Sequence, residues 1–247
     1  MIQKKIFSFV LFAGLFMGFT GCNDLDSDGV YVYTGLIGVV SYNWEINKCV
    51  IGLGDGEYVV DDPALLLAEG ECIYIIQMTI DSKNQASDKY VTATGVQYQI
   101  LARSYPVAGA IPPPLGDYNL LLSDPGAYIS PYFKGNLFLS AAFTKFEKQS
   151  AQFSLTYDPD EAPLNGTRTL YLQAKLSGEE TGNKAQTNDI QTVEMNGLIN
   201  YLGRDTIISA ISFRYLKFNL KYLSDIRDNE PVYSSVTDTP IELAVFN

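Results

Sequence analysis

Short runs of apolar and aromatic residues, divided by turn residues, extend over residues 30–103. β-branched and aromatic side chains dominate these runs, and such side chains favour strands over helices. Gly35 and Gly38 stand where a barrel strand would bend, and Gly54-Asp55-Gly56 predicts a hairpin. The runs are Val30–Tyr33, Leu36–Tyr42, Trp44–Leu53, Tyr58–Val60, Cys72–Ile80 and Tyr90–Ala102, with one helical turn expected over Leu65–Ala68. The pattern predicts a small closed β-barrel of the oligonucleotide/oligosaccharide-binding (OB) type.

A proline-rich stretch, residues 104–116, follows the predicted barrel and contains Pro112-Pro113-Pro114. Consecutive prolines favour an extended, semi-rigid chain and cannot donate hydrogen bonds to a sheet. The stretch is therefore predicted to be the linker between two domains.

Residues 117–247 again consist of short strand-like runs. Residues 152–157 and 213–220 alternate strictly between apolar and polar, so each of these strands has one core face and one solvated face. The predicted strands are Tyr132–Phe133, Asn136–Phe143, Ala151–Tyr157, Thr169–Leu176, Thr192–Asn200, Ile207–Leu220 and Ile241–Phe246. No strand alternates with a helix of 10 to 15 residues, which argues against a parallel α/β sheet. The whole chain is predicted to be all-β, with an antiparallel β-sandwich after the barrel.

The N-terminus has the layout of a secretory signal. Lys4 and Lys5 precede a 14-residue apolar run, Ile6–Phe19, and small residues lead into Cys22. The run is shorter than the roughly 18 apolar residues of a spanning helix. Phe-Thr-Gly-Cys resembles a bacterial lipobox, so residues 1–21 are predicted to be removed and Cys22 to be lipidated. Ordinary secretion or an uncleaved anchor is the alternative.

Residues 22–29 are predicted to be a lipidated cysteine followed by an acidic, solvated tether, because they carry three carboxylates and no apolar periodicity. The spacing of Asp24, Asp26 and Asp28 copies the first half of an EF-hand calcium loop. The twelfth position of that loop needs a glutamate, and Gly35 stands there. A tether is the simpler interpretation.

The charge and composition exclude several functions. The chain has 17 basic and 28 acidic residues, and loss of the signal would leave 15 basic against 28 acidic, a net charge of −13. Such a protein repels phosphate backbones, so we expect no nucleic-acid partner. The absence of histidine removes His-based triads and His zinc ligands. No cofactor and no metal site are predicted.

Cys49 and Cys72 are the two thiols other than the predicted anchor. Disulfides persist outside the cytoplasm, and both residues lie in predicted strands that could be neighbours. A Cys49–Cys72 bridge and two buried free thiols are both open, since only the Cα separation and Cβ directions can decide between them.

Two sets of side chains are candidates for function: aromatic residues for ligand binding and carboxylates for catalysis. Tyr31, Tyr33, Tyr42 and Trp44 could form a stacking platform for sugars on the barrel, although alternating aromatics more often fill a core. Carboxylate pairs could serve glycoside hydrolysis, but each lies beside proline or glycine in a turn. These clusters are Asp61/Asp62, Glu69/Glu71 and Asp158/Asp160/Glu161, the last of which could also hold calcium at a loop. We therefore predict no catalytic residues.

The order of these motifs resembles that of the NigD-like lipoproteins. The resemblance rests on the lipobox, the acidic tether, the Gly-Asp-Gly hairpin, Tyr90–Arg103, and the strand Gly135-Asn136-Leu137-Phe138-Leu139-Ser140-Ala141-Ala142-Phe143. It implies an OB-type barrel over 30–103 and a β-sandwich over 117–247. A histidine that is usual in one family strand is absent from Gln152-Phe153-Ser154-Leu155. The family brings no established activity.

The sequence therefore predicts a non-enzymatic lipoprotein of the outer membrane of a Gram-negative bacterium, on its periplasmic face or at the cell surface. Its expected role is that of an accessory or protein-interaction module, held to the membrane by its lipid. The alternative is a surface glycan-binding protein that uses the barrel aromatics, and an enzyme comes third.

Overall fold

A computed structural model describes residues 22–23, 29–83, 85, 90–202, 204–208 and 211–246. The predicted signal, residues 1–21, and tether residues 24–28 lie outside the described residues. The described chain is nearly all β-structure, as predicted, and includes a closed five-stranded barrel. No helix among the described residues is long and apolar enough to cross a membrane.

The first seven strands form one sheet, and five of them close into the barrel. They are β1 (Cys22–Asn23), β2 (Val30–Tyr33), β3 (Leu36–Asn43), β4 (Lys48–Gly52), β5 (Glu57–Val60), β6 (Cys72–Asp81) and β7 (Val91–Ile100). The order in the ring is β3-β4-β5-β7-β6, and β6 pairs with β3 to close it, while β2 also pairs with β6 and β1 with β2. The β5–β7 pairing is parallel and the others in the ring are antiparallel. This is the strand order of an OB barrel.

Local sequence signals explain how this ring forms. Gly35, at φ 73°, separates β2 from β3, so the two strands continue one another around a bend while both pair with β6. Between β5 and β6, Asp62 accepts a hydrogen bond from Ala64 N and Pro63 opens a 3₁₀ helix, Pro63–Ala68. Leu65 and Ala68 of this helix close one end of the barrel core.

The sandwich follows with eleven strands and one α-helix. They are β8 (Arg103–Ser104), β9 (Val107–Ala108), β10 (Ser123–Tyr128), β11 (Asn136–Phe146), β12 (Gln149–Tyr157), β13 (Thr167–Gly178), β14 (Lys184–Glu194), α1 (Asn196–Leu202), β15 (Arg204–Ile208), β16 (Ile211–Arg227), β17 (Glu230–Ser235) and β18 (Ile241–Phe246). A short 3₁₀ helix, Pro131–Phe133, precedes β11.

These strands form two facing sheets. One has the order β10-β11-β14-β8, and the other has β15-β16-β13-β12-β9, with β17 and β18 also paired to β16. The sheets were predicted to be antiparallel, but β13–β16, β9–β12 and β8–β14 are parallel pairs. Between the sheets lies a core that includes Leu139, Phe153, Leu172 and Phe218.

The proline-rich stretch is bound to the sandwich rather than extended in solvent. Arg103–Ser104 pairs with β14, and Val107–Ala108 pairs with β12. Further on, Gln173 Nε2 donates to Pro114 O over 3.2 Å, and Tyr233 Oη donates to Pro113 O over 3.0 Å. The stretch therefore closes one side of the sandwich.

Three sequence expectations differ locally from the structure. Residues 44–47 form a turn and not the start of a strand. Residues 131–133 are 3₁₀ helix, because Pro131 follows Ser130, whose side chain accepts from Tyr132 N. Residues 196–202 are α-helix where a strand was predicted over 192–200, since a seven-residue helix is too short to display a 3.6-residue period.

A third apolar cluster joins barrel and sandwich. Ile37, Val39 and Cys72 on the outside of the barrel pack with Phe133 and Phe138, whose rings meet edge to face with centroids 4.6 Å apart. The Ser130 hydroxyl donates to Leu53 O over 3.3 Å or to Gly54 O over 3.2 Å. The barrel wall is thus buried against the segment that leads into β11.

Candidate functional site

A groove of about 460 Å³ lies where the barrel meets the sandwich. We call it the junction groove. Its walls come from the β3–β4 turn, from β4 and β5, and from the residue that precedes β7. The lining residues are Tyr42, Asn43, Trp44, Glu45, Val50, Glu57 and Tyr90 of the barrel, and Lys134 of the segment before β11. The same strands and loops form the ligand face of OB barrels in general.

Trp44 is the most conspicuous residue of the junction groove. Its side chain is 82% exposed, and its ring meets Tyr42 edge to face with centroids 4.6 Å apart. The turn that carries it is braced, because Tyr42 Oη donates to Asn47 Oδ1 over 2.5 Å and Glu45 N donates to Asn43 Oδ1 over 3.0 Å. A large apolar ring is therefore presented to solvent on a fixed turn.

The charged groups of the junction groove have partners. Tyr90 Oη donates to Glu45 Oε2 over 3.1 Å. Lys134 Nζ lies 3.6 Å from Glu57 Oε1 and donates to Ser41 Oγ over 2.7 Å. Two carboxylates against one ammonium give the groove an acidic character, which disfavours anionic ligands.

A second, smaller groove of about 240 Å³ opens at the end of the barrel, and we call it the mouth groove. Its lining residues are Tyr31, Tyr33, Tyr58, Ile80, Ser82, Gln85 and Val91. Tyr58 Oη donates to Asp55 Oδ2 over 3.0 Å, and burial together with the Asp55 charge raises the pKa of Tyr58. Tyr58 therefore stays protonated and uncharged at neutral pH.

The four aromatic residues predicted to share one platform lie in two grooves. Tyr42 and Trp44 line the junction groove, whereas Tyr31 and Tyr33 line the mouth groove. The bend at Gly35 lies between the two pairs. Sequence alternation gave no indication of this division, because it assigns faces along a strand and not the path of the strand around a barrel.

Several junction-groove residues were not predicted from the sequence. Glu57 and Tyr90 are brought to the groove by strand pairing, and Lys134 comes from beyond the proline-rich stretch. No local spacing connects these residues with Trp44. The only available signal was the OB topology itself, which places the β3–β4 turn beside the β6–β7 connection.

The two cysteines are free and buried, so of the two alternatives left open by the sequence the structure has the unbridged one. They lie on strands that are not neighbours, since β3 stands between β4 and β6. Cys49 belongs to the barrel core, whereas Cys72 belongs to the cluster between barrel and sandwich. Burial raises the pKa of both thiols.

Several carboxylates of the predicted clusters make structural contacts. Asp61 Oδ2 lies 3.1 Å from Lys48 Nζ, Asp62 caps the 3₁₀ helix, and Glu71 Oε2 lies 3.5 Å from Arg103 NH2. In the loop after β12, Glu161 Oε2 accepts from Thr169 N over 3.0 Å. Within the described part of the chain, no three His, Cys, Asp or Glu side chains are grouped as metal ligands.

Comparison with models of protein families and with curated proteins found no match. Among solved structures, an uncharacterized protein from Parabacteroides merdae is similar at 17% identity, with a TM-score of 0.62 over 82% of this chain and 96% of its own. A candidate lipoprotein from Bacteroides fragilis is similar at 12% identity, with a TM-score of 0.51 over 88% and 96%.

A NigD-like immunity protein from Bacteroides caccae is also similar, at 14% identity over 86% of this chain and 94% of its own, with a TM-score of 0.45. At such identities the likenesses concern the fold alone. The chain therefore shares its fold with the proteins from Parabacteroides merdae and Bacteroides fragilis.

Proposed function

We propose that the chain is a lipid-anchored protein of the bacterial cell envelope that binds a protein partner through the junction groove and catalyses no reaction. The signal-like N-terminus and Cys22 support the anchor, and the fold shared with a candidate lipoprotein agrees with it. The outer membrane of a Gram-negative bacterium is the proposed location.

One observation carries the binding role: the exposed Trp44 ring beside Tyr42 on a braced turn. An exposed tryptophan costs free energy in water, and tryptophan and tyrosine supply much of the binding energy at protein interfaces. The carboxylates around it are already bonded to Tyr90 or paired with Lys134. This arrangement fits recognition better than acid–base chemistry.

A photo-crosslinking residue at position 44 tests this role on intact cells. We expect one discrete crosslinked species that contains a protein partner, because the crosslinker replaces the proposed anchor of the interface. Leu164 is the matched control position, since its side chain is 79% exposed, close to the 82% of Trp44. The same adducts at both positions, or none at position 44, would contradict the proposal.

A glycan ligand is the second candidate, and the chemistry of the junction groove favours it. Aromatic rings stack on sugar faces, while Asn43 and Glu45 offer groups that can hydrogen-bond hydroxyls. The acidic lining favours neutral glycans over anionic ones and over nucleic acids.

Fluorescence of Trp44, the single tryptophan, tests the glycan candidate. A bound neutral glycan is expected to shift its emission, and Tyr42→Ala is expected to weaken binding about five- to tenfold by removing one aromatic contact. Tyr31→Ala, in the mouth groove, is expected to leave affinity unchanged. Absence of a shift with every glycan in a panel would remove this candidate.

A further inference from the structure

The start of the predicted mature chain is fixed to the barrel wall. Strand β1 pairs antiparallel with β2, with Cys22 opposite Tyr33 and Asn23 opposite Val32. Paired strands lie about 5 Å apart. Cys22 is therefore held beside the barrel by backbone pairing and does not end a free tether.

The part of the barrel beside Cys22 is the mouth groove. Tyr33 lines this groove, and Tyr31 lines it two residues earlier on the same face of β2. Ile80 pairs with Tyr31 across the β2–β6 ladder, and Val91, which is 39% exposed, completes an apolar and aromatic rim. Tyrosine rings are enriched at the boundary between water and lipid because one end is apolar and the other is polar.

We infer that the mouth groove rests on the headgroup layer of the membrane, with the acyl chains of Cys22 entering the bilayer beside it. The inference depends on the lipid anchor of the proposed function. Acyl chains bring their own residue to the bilayer surface, and here that residue is paired to the tyrosine-bearing strand. The membrane surface must therefore lie next to Tyr31 and Tyr33.

The charges near the mouth groove indicate which lipids it tolerates. Asp55 accepts the Tyr58 hydroxyl, Asp81 ends β6, and Lys83 follows it. Acidic groups outnumber basic ones, so the favoured surface is zwitterionic rather than anionic.

This orientation leaves the junction groove accessible. Glu57 and Tyr58 are successive residues of β5, and successive strand residues point to opposite faces. Glu57 lines the junction groove and Tyr58 the mouth groove. A barrel seated on its mouth would therefore keep Trp44 on the lateral face, outside the bilayer.

Quenching by brominated lipid tests the orientation. The full-length, lipidated protein would carry Trp44→Phe, which silences the natural tryptophan, together with Tyr31→Trp or Val91→Trp as two independent reporters in the mouth groove. Lys148→Trp is the control. It lies at the turn after β11, and the eleven residues of that strand span about 35 Å from the junction.

Each variant is placed in phosphatidylcholine vesicles with and without bromine on the acyl chains. We expect emission from position 31 or 91 to fall about twofold or more with bromine, and emission from position 148 to stay constant, because only rings at the lipid boundary meet the bromine atoms. Unquenched reporters in the mouth groove, or equal quenching at all three positions, would overturn the inference.

Mass spectrometry of the N-terminus in the same preparation separates the two proposals. An unmodified Cys22 would contradict the anchor itself. An acylated Cys22 with unquenched reporters would contradict the orientation alone.

Discussion

The side chain of Gln191, on β14, hydrogen-bonds to backbone groups at the unpaired edge of β12 in the facing sheet. Its Oε1 accepts from Phe153 N over 3.0 Å, and its Nε2 donates to Ala151 O over 2.8 Å. The amide thus makes the two hydrogen bonds that a neighbouring strand would make. Only 4% of Gln191 is exposed, so water cannot replace these bonds.

We predict that Gln191→Ala lowers the free energy of unfolding by about 2–4 kcal/mol, because a buried N–H and a buried C=O lose their partners. Urea unfolding followed by circular dichroism measures the change. Gln186→Ala, at an exposed position of the same strand, is expected to stay within about 0.5 kcal/mol of the wild type. Equal effects of the two substitutions would show that the amide bonds contribute nothing.

At the scale of single residues, the sequence predicted those that act within a few positions of the chain. It missed those whose contacts are with residues far away along the chain. The bend at Gly35 and the helical turn over Leu65–Ala68 were identified correctly because each is encoded within a few residues. Gln191 and Lys134 were missed because their partners lie far away along the chain. Polar residues in a strand pattern look alike whether they face solvent or close a distant edge.

At the scale of elements, the 3₁₀ helix Pro131–Phe133 packs against the barrel and so connects it to the sandwich. It lies so close to β4 that a Cβ on Gly52 would come within 2.4 Å of Tyr132 O. Glycine is therefore required at position 52 by the approach of another backbone and not by a turn.

We predict that Gly52→Ala destabilises the protein by about 1–3 kcal/mol, because the added methyl group forces the two backbones apart. Faster amide exchange over residues 130–134 should accompany the loss, measured by hydrogen exchange with mass spectrometry. Gly56→Ala serves as the matched control, since its Cβ would meet nothing nearer than Tyr58 Cε2 at 4.0 Å. The idea fails if position 52 tolerates alanine as well as position 56 does.

Elements were predictable where apolar and polar residues alternate strictly, as over residues 152–157 in β12 and 213–220 in the first half of β16. Two short helices were missed, since α1 and the helix at Pro131 were both predicted as strands. Parallel pairing was also missed, since β13 and β16 have the same alternation whether they run parallel or antiparallel.

At the scale of the whole molecule, the residues that the structure describes form three apolar clusters, one in the barrel, one in the sandwich and one between them. The pattern of apolar and polar residues predicted the first two, because each lies within one series of predicted strands. The third could not be foreseen, since Ile37 and Val39 read as ordinary barrel residues until Phe133 and Phe138 cover them. For the same reason the junction groove was recognisable only in part, through Tyr42 and Trp44.

The position of β16 imposes an order on how the chain can assemble. The barrel ring uses only residues 36–100, whereas β13 needs β16, and β16 ends at Arg227, close to the C-terminus. As the chain emerges from a ribosome or a translocon, the barrel can close while the sandwich still lacks its central strand. Ile37 and Val39 remain uncovered until Phe133 and Phe138 pack on them, so an early-folded barrel would expose an apolar surface to chaperones during that interval.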